Sequence, residues 1–178
     1  MITGSPFFQR LRRGAWEFIC VLMLALLIAL FVNVYVAEAV AVKEGPSMQP
    51  NLYIGYRVMT ETISYRFHLP HRGDIVVVDR PAGGTALIKR VVGLPGDEVC
   101  VVGGHSRVNG RLLDGPWVAY FDGMDYGPAR VPPAHLFIIG DNRVQSFDSR
   151  AIGPVPMEKV RGRAWLIYWP IDHLCLLR

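Results

Sequence analysis

The sequence has few of the residues from which cross-linked or metal-bound domains are built. Its 178 residues include only three cysteines, and none of them form a CxxC pair. Three cysteines cannot all pair with one another, so a fold held together by disulfides is excluded. Pairing of Cys100 with Cys175 stays open, since an oxidising exterior would permit it. The sequence also contains no HExxH motif, no cluster of cysteine and histidine, and no glycine-rich phosphate loop. We therefore expect neither a metal ion nor a cofactor.

Charged residues are also scarce. They make up 19% of the chain against 51% apolar residues, and the mean hydropathy is +0.26. This balance excludes a disordered chain, which needs low hydrophobicity and high charge. The net charge of +4 is too small to indicate a nucleic-acid partner. The length fits one folded domain of ordinary size.

One long apolar stretch accounts for much of the apolar excess. The twenty residues from Phe18 to Ala37 carry no charge. About 20 apolar residues in a helix span the roughly 30 Å of bilayer hydrocarbon. Arg10, Arg12 and Arg13 precede the stretch, which by the positive-inside rule keeps the N-terminus in the cytoplasm. The sequence therefore predicts a cytoplasmic segment at 1–17, a single transmembrane helix at 18–37 and an exported domain at 38–178.

Two other interpretations of this stretch are weaker. Ala37 and Ala39, or Ala39 and Ala41, supply the small residues of a signal-peptide cleavage site. A cleavable signal peptide, however, has an apolar region of only about 7–15 residues. A core helix of a soluble protein has an apolar stripe on one side, whereas this stretch is apolar all round.

After Lys43 the sequence changes to short runs of β-branched residues. Such runs, bounded by Gly, Pro and Asn, are typical of strands. They lie at 57–60, 74–78, 86–92, 97–102, 135–139 and 163–168. Residues 99–134 are richer in Gly, Asp and aromatic residues, and we expect them to form an excursion from the main sheet. Asn109-Gly110 predicts a hairpin turn there. The exported domain is therefore expected to be mainly β.

Three further segments contain polar residues in unusual settings. Residues 44–52 place Ser47 between two prolines, on a stiff and extended backbone. Residues 87–97 place Lys89 inside an apolar run, where an unpaired charge costs several kcal/mol unless the amine is neutral or paired. Residues 140–150 form a polar, turn-rich segment. Each has an ordinary explanation by itself: a loop serine, an outward-facing strand lysine and a hydrogen-bonded turn.

Together, and in this order behind an apolar anchor, the segments resemble the bacterial type I signal peptidases. These are membrane serine proteases with a Ser/Lys dyad that remove leader peptides from exported proteins. The matching stretches are Ser-Met-x-Pro at 47–50, Arg-Gly-Asp-Ile-Val-Val at 72–77, Lys-Arg-Val-Val-Gly-x-Pro-Gly-Asp at 89–97 and Gly-Asp-Asn-Arg-x-x-Ser-x-Asp-Ser-Arg at 140–150. The resemblance implies one N-terminal transmembrane helix followed by a β-rich catalytic domain on the outer face of the cytoplasmic membrane.

The resemblance also implies a catalytic role for matching residues. Ser47 is the expected nucleophile, and neutral Lys89 is its expected general base. Lysine has a reference pKa of about 10.4, which burial in an apolar strand lowers by about 3–5 pH units. Ser146 is expected to form a hydrogen bond with Lys89 and to orient it. Asp148 and Arg150 are expected to form an ion pair that holds the loop of Ser146 in place.

Substrate choice is implied in the same way. Met48, Leu52 and Ile88 are expected to form shallow apolar pockets that admit the small side chains of an Ala-x-Ala cleavage site. At two positions the sequence departs from some members of the family. Gly45 stands where they carry a hydroxyl that helps to stabilise the oxyanion, so the backbone N–H of Ser47 has to serve. Lys43 stands where an apolar residue is usual.

Two other functions stay open. A self-cleaving Ser/Lys regulator uses a similar β-rich fold but needs a DNA-binding partner domain, and only seventeen residues precede the apolar run. A non-catalytic, membrane-anchored β-domain that binds exported peptides would be expected to lack Ser47 or Lys89. We therefore predict an endopeptidase whose partners are the signal peptides of exported preproteins and membrane lipid, with no nucleic acid and no metal.

Overall fold

The structure is a computed structural model that describes residues 6–31, 37–43, 45–80 and 83–177. The chain divides into two compact units, Met1–Ala37 and Glu38–Arg178. The first contains one long helix and the second a β-rich domain. The mainly β fold predicted from the sequence is confirmed.

Helix α1 spans Pro6–Phe31. Proline suits the first position of a helix, where its missing N–H leaves no hydrogen bond unmade. Within the helix, Arg13–Leu30 has a mean hydropathy of 2.0, and none of these 18 residues is buried. At 1.5 Å per residue they measure about 27 Å, close to the thickness of bilayer hydrocarbon. By length and composition α1 is therefore able to cross a membrane.

The bounds of α1 differ from those of the predicted span. The helix begins at Pro6 rather than at Phe18, because arginine and glutamine favour the helix as strongly as most apolar residues do. Ala37, predicted as the last residue of the span, is the first residue of a strand. Residues 32–36 of the predicted span lie outside the described residues.

The second unit is built from short strands. They are β1 (Ala37–Ala41), β2 (Arg57–Glu61), β3 (Ile75–Val78), β4 (Leu87–Gly93), β5 (Glu98–Val102), β6 (His105–Val108), β7 (Arg111–Leu112), β8 (Tyr126–Arg130), β9 (His135–Ile139), β10 (Val155–Pro156), β11 (Val160–Trp169) and β12 (Cys175–Leu176). A short helix, α2, spans Ser149–Ile152, and single 3-10 turns lie at Ser64–Arg66, Met157–Lys159 and Ile171–His173. Each of the six predicted runs contains a strand.

The main sheet has the strand order β1-β2-β11-β3-β4-β9-β10, and β12 pairs with β11 outside this path. The long strand β11 is antiparallel to both of its neighbours in this order, so Ala164 faces Thr60 of β2 and Ile75 of β3. Strand β4 lies between β3 and β9 and places Lys89 opposite Val76. The middle of the sheet is thus β11, β3 and β4.

Apolar side chains cover both faces of this middle region. Successive residues of a strand point to opposite faces. In β3, Ile75 and Val77 pack into a cluster with Met48 and Ile88, whereas Val76 and Val78 pack into a second cluster on the other face. Burial on both faces is why β3 and β4 read as continuous apolar runs instead of alternating ones. Each fully buried Val or Ile side chain contributes about 1.5–3 kcal/mol to folding.

The predicted excursion is a sheet of its own. Strands β5 to β8 pair in the order β7-β6-β5-β8, here called the small sheet, and cover 98–130. The predicted hairpin is present: Asn109 and Gly110 both have positive φ, 50° and 79°, and β6 and β7 pair on either side of them. Positive φ at both central residues is the requirement of a type I′ turn.

Candidate active site

Ser47 stands in a turn that the core holds in place. Two backbone hydrogen bonds close the turn, from Gln49 N–H to Pro46 O at 3.0 Å and from Leu52 N–H to Met48 O at 2.9 Å. Met48 and Leu52 are both buried in the core cluster of the main sheet. The side chain of Ser47 is half-buried, at the edge of that cluster.

Lys89 lies beside Ser47 in the centre of the main sheet. The residue is 3% exposed, because β4 has a neighbour on each side and apolar clusters on both faces. Its Nζ lies 2.7 Å from Ser47 Oγ and donates to the main-chain oxygen of Ile88 at 3.0 Å. A neutral amine keeps two N–H donors and gains a lone pair. It can therefore donate to the Ile88 carbonyl while it accepts the hydroxyl proton of Ser47.

Burial shifts the protonation of Lys89. Desolvation lowers the pKa of Lys89 from its usual 10.5 to about 8. The negative charge of Asp148 opposes this, the positive charge of Arg80 adds to it, and the charge of Asp141 opposes it. With a pKa of about 8, roughly a tenth of the molecules hold a neutral amine at pH 7, whereas a lysine in water has well under a thousandth. The site therefore supplies a base next to Ser47.

Ser146 lies close to Ser47 but does not form the expected hydrogen bond with Lys89. Its Oγ is buried and has no hydrogen-bond partner among the described residues. A Cβ added to Gly140 would lie 2.2 Å from this Oγ and 2.5 Å from the main-chain oxygen of Ser47. The Ser146 hydroxyl thus faces Gly140 in this structure, and only glycine fits between the two serines.

Asp148 and Arg150 form an ion pair, with Arg150 Nε 2.9 Å from Asp148 Oδ1. The fully buried Asp148 also accepts the backbone N–H of Gly140 at 3.0 Å and caps helix α2. Arg150 in turn pairs with Asp122 of the small sheet and donates to the main-chain oxygen of Arg143 at 2.9 Å. These contacts fix the shape of residues 140–150, here called the 140–150 loop.

A second buried ion pair lies next to the dyad. Arg90 donates Nε and Nη2 to the two carboxylate oxygens of Asp141, each at 2.8 Å, and its guanidinium lies 4.8 Å from the ring centroid of Trp117. Asn51, from the turn of Ser47, donates to Asp141 Oδ2 and to the main-chain oxygen of Trp117, each at 2.8 Å. One carboxylate thus joins the turn of Ser47, strand β4 and the 140–150 loop.

Part of this network lies in segments that the sequence already singles out. Arg90 and Asp141 both fall in segments that resemble the peptidases, although no role follows from that resemblance alone. Asn142, in the same segment as Asp141, donates its backbone N–H to the main-chain oxygen of Ser47 at 3.0 Å. Nothing in the sequence marked Trp117, because its contact is made across a long stretch of chain.

A cavity of about 270 Å³ lies beside Ser47 and Lys89. Met48 and Ile88 line it together with Ser47 and Lys89. Leu52, expected to line a pocket, does not reach this cavity. It is 1% exposed and packs in the core behind the turn of Ser47.

The two departures from the family pattern both border the cavity. Gly45 has a φ of +64°, and a Cβ there would meet nothing within 4 Å. Its backbone conformation, rather than lack of space, favours glycine at this position. Lys43 is exposed and is one of the residues that line the cavity, at the position where the family resemblance predicts an apolar residue.

Metal ligands and disulfides are not part of this site. Within the described residues, no three His, Cys, Asp or Glu side chains come together as metal ligands would. Cys100 and Cys175 are free thiols, so the pairing that the sequence left open is not formed.

Comparison with known proteins agrees with this geometry. The sequence matches the signal peptidase family, peptidase S26, over residues 15–169. The chain belongs to the peptidase S26 family. This S26 peptidase is 42% identical to the probable signal peptidase I-2 of Synechocystis over 160 residues, 86% of this chain and 72% of the relative. It is 30% identical to signal peptidase I of Bacillus licheniformis over 175 residues, 92% and 93% of the two chains.

A crystal structure of signal peptidase I from Enterococcus faecalis V583 is also similar. It is 29% identical in sequence, with a TM-score of 0.48, over 54% of this chain and 97% of that chain. The residues matched by the S26 family include Ser47, Lys89 and the 140–150 loop. The family resemblance predicted from the sequence is thus confirmed.

Replacing Lys89 by methionine is expected to stabilise the S26 peptidase at neutral pH. A pKa lowered from 10.5 to about 8 means that protonated Lys89 destabilises the fold by roughly 3 kcal/mol below pH 8. The unfolded chain binds this proton between about pH 8 and 10.5, whereas the folded chain does not, so the wild type gains stability as pH rises through that window. Lys89→Met should therefore unfold at higher denaturant concentration at pH 7, with a gain of order 1–3 kcal/mol that fades toward pH 10.5.

Chemical denaturation at pH 7 and pH 10 measures this difference. Lys159→Met makes the same replacement at an exposed lysine and should change stability little at either pH. Equal stability of the wild type and Lys89→Met at pH 7 would show that the Lys89 amine is not destabilised by burial.

Proposed function

We propose that Ser47 and Lys89 are the catalytic dyad with which this S26 signal peptidase cleaves signal peptides. The S26 signal peptidases are serine endopeptidases, so the reaction needs a nucleophilic hydroxyl and a base. The observation that carries the proposal is the distance of 2.7 Å between Ser47 Oγ and the buried Nζ of Lys89. A hydroxyl becomes a good nucleophile only when a base takes its proton, and here the base is within hydrogen-bond reach.

The reaction then follows in two halves. Ser47 Oγ attacks the carbonyl carbon of the scissile bond while neutral Lys89 Nζ takes its proton. The resulting ammonium gives that proton to the leaving amine, and an acyl-enzyme remains on Ser47. Neutral Lys89 then takes a proton from water, whose oxygen attacks the acyl carbon, and the proton returns to Ser47 Oγ as the new carboxyl-terminated signal peptide leaves.

The backbone N–H of Ser47 is our candidate donor for the oxyanion. Gly45 has no side chain to offer a second donor. Removing an oxyanion donor elsewhere costs about 3–4 kcal/mol of transition-state stabilisation. Met48 and Leu52, buried in the core, hold the turn of Ser47 in place. The position of this N–H is therefore fixed before the reaction begins.

Small side chains of the substrate suit the cavity beside Ser47. A volume of about 270 Å³ with Met48 and Ile88 in its wall accommodates alanine-sized groups on an apolar surface. We propose that these two residues contact the small residues before the cleavage site. Leu52 lies in the core cluster behind these two residues and supports Met48 from there.

Relatives named signal peptidase I and the apolar helix α1 agree with a membrane-associated enzyme. The finer arrangement is a proposal: α1 crosses the membrane with the N-terminus in the cytoplasm, and the β-domain lies on the outer face, where membrane lipid and emerging signal peptides meet it. Support comes from Arg10, Arg12 and Arg13 at the start of the apolar stretch.

Variants of the dyad are expected to be inactive. Ser47→Ala removes the nucleophile, and Lys89→Ala removes the base, so each should reduce cleavage of an Ala-x-Ala leader substrate to background, by about 10⁴-fold or more. Lys89→Arg should be equally inactive, because a guanidinium stays protonated at any usable pH. The assay is cleavage by detergent-solubilised full-length protein, with mass spectrometry of the products.

Ser146→Ala is the matched control for these variants. It removes another hydroxyl near the same site and should lower kcat much less than Ser47→Ala, because the Ser146 hydroxyl forms no hydrogen bond with Ser47 or Lys89 in this structure. Turnover by Lys89→Arg would show that Lys89 is not the base, and turnover by Ser47→Ala would show that Ser47 is not the nucleophile.

The pH profile of kcat/KM is expected to rise toward alkaline pH. Protonated Lys89 cannot act as a base, and desolvation places its pKa at about 8. The rate constant should therefore increase about tenfold per pH unit up to about pH 8 and level off above it. A profile that stays flat between pH 6 and pH 9 would contradict the neutral-lysine mechanism.

The orientation in the membrane is expected to leave the native Cys175 open to the outside. Cys175 is an exposed free thiol of the β-domain. In spheroplasts, a membrane-impermeant maleimide should label the wild type without lysis, and Cys175→Ser should lose that label. Labelling that requires lysis would place the β-domain in the cytoplasm.

A further inference from the structure

The small-sheet region binds the 140–150 loop through the buried side chain of Arg143. Arg143 is 3% exposed, and its Nη2 lies 2.9 Å from Asp114 Oδ1, in the segment between β7 and β8. Its Nη1 donates to the main-chain oxygen of Gly104 at 2.6 Å, between β5 and β6. The backbone N–H of Arg143 donates to Tyr120 O at 2.9 Å. Three residues from two connecting segments of the small-sheet region thus hold one residue of the loop.

The same loop holds the nucleophile on its other side. Asn142, next to Arg143, donates its N–H to the main-chain oxygen of Ser47 at 3.0 Å and forms a bridge with Tyr120. Gly140 packs so closely on that same oxygen that a Cβ would lie 2.5 Å from it. A displacement of the loop at Arg143 is therefore transmitted directly to the backbone of Ser47.

We propose that Asp114 is a positioning residue for the reaction: by holding Arg143 it fixes the 140–150 loop and so keeps Ser47 in line with Lys89. This inference rests on the proposed roles of Ser47 and Lys89. Asp114 lies outside the motif stretches at 47–50, 72–77, 89–97 and 140–150, in the excursion for which the sequence predicts no catalytic role.

Several hydrogen bonds fix the carboxylate of Asp114 in the small-sheet region. Its side chain is 8% exposed, and its two oxygens accept from Arg143, from the backbone N–H of Ser106 at 3.2 Å and from His105 Nδ1 at 2.9 Å. The carboxylate is therefore fixed by the small sheet itself before it meets the loop.

Asp114 carries more of this role than Asp122, the other acid of the small-sheet region that binds the loop. Asp122 pairs with Arg150, which already has Asp148 as a partner. Among the described residues, Arg143 meets no carboxylate other than that of Asp114. Loss of Asp114 therefore leaves a buried guanidinium without its counter-charge, whereas loss of Asp122 does not.

Asp114→Asn is the variant that tests the proposal, because it keeps the shape of the side chain and removes its charge. The expected result is a fall in kcat of about ten- to a hundred-fold, since a displacement of about 1 Å at a reacting group costs up to 10²-fold. KM should change by less than about threefold, because Met48 and Ile88 are not touched. The measurement is steady-state cleavage of an Ala-x-Ala leader peptide by the full chain in detergent, below the melting temperature of every variant.

A double-mutant cycle separates positioning from general loss of stability. If Asp114 acts through Arg143, the double variant Asp114→Asn, Arg143→Gln should have the kcat of Arg143→Gln alone, within about twofold. Asp125→Asn makes the same replacement at an exposed acid of the same region and should leave kcat unchanged. Multiplicative losses in the double variant, or an unchanged kcat in Asp114→Asn, would overturn the proposal.

Hydrogen exchange gives a readout that does not need activity. In Asp114→Asn the amides of residues 141–145 should exchange faster, while those of β3 and β4 stay as slow as in the wild type. Asp125→Asn should leave the 141–145 amides unchanged. If the wild type cleaves no leader peptide, the proposed function fails, but faster exchange confined to 141–145 still supports the link from Asp114 to the loop. Unchanged exchange there would refute that link.

Discussion

Burial of a single amine is the constraint on which the rest of this structure depends. Lys89 loses its hydration in the centre of the main sheet, and little else in the site favours its neutral form. Desolvation needs strands on both sides of β4 and apolar clusters on both faces. The lowered pKa of Lys89 therefore depends on the packing of the whole main sheet rather than on one neighbouring residue. The two acids near Lys89, Asp141 and Asp148, act against it and are tolerated because arginines neutralise both.

Arg90 and Arg150 keep the charges of these two acids paired inside a largely apolar site. Arg90 and Arg150 each bind their acid through two nitrogens, which fixes geometry as well as charge. Both also contact the small-sheet region: Arg90 lies over the ring of Trp117, and Arg150 pairs with the carboxylate of Asp122. The small sheet therefore supports the site around Ser47 and Lys89, although neither residue lies on its strands.

The sequence indicated Ser47 and Lys89 more clearly than the residues that hold them in place. Runs of β-branched residues located the strands, and the three polar segments located Ser47 and Lys89. Strand β1 was missed because its alanines and glutamate have low strand propensity. The family resemblance predicts Leu52 in a pocket, but a matched position does not distinguish the wall of a pocket from the core behind it. The bond between Asp114 and Arg143 could not be predicted, since both are common polar residues 29 positions apart and only the fold brings them together.

The order of strands in the main sheet has a consequence for the assembly of the site. Strand β11, close to the C-terminus, lies between β2, which follows the turn of Ser47, and β3, which precedes the strand of Lys89. Until residues 160–169 are in place, no strand pairing of the main sheet joins these two halves. Before β11 pairs with both neighbours, Ser47 and Lys89 therefore belong to two parts of the main sheet that share no strand pairing. A strand that follows both residues in the sequence completes the sheet that brings them together.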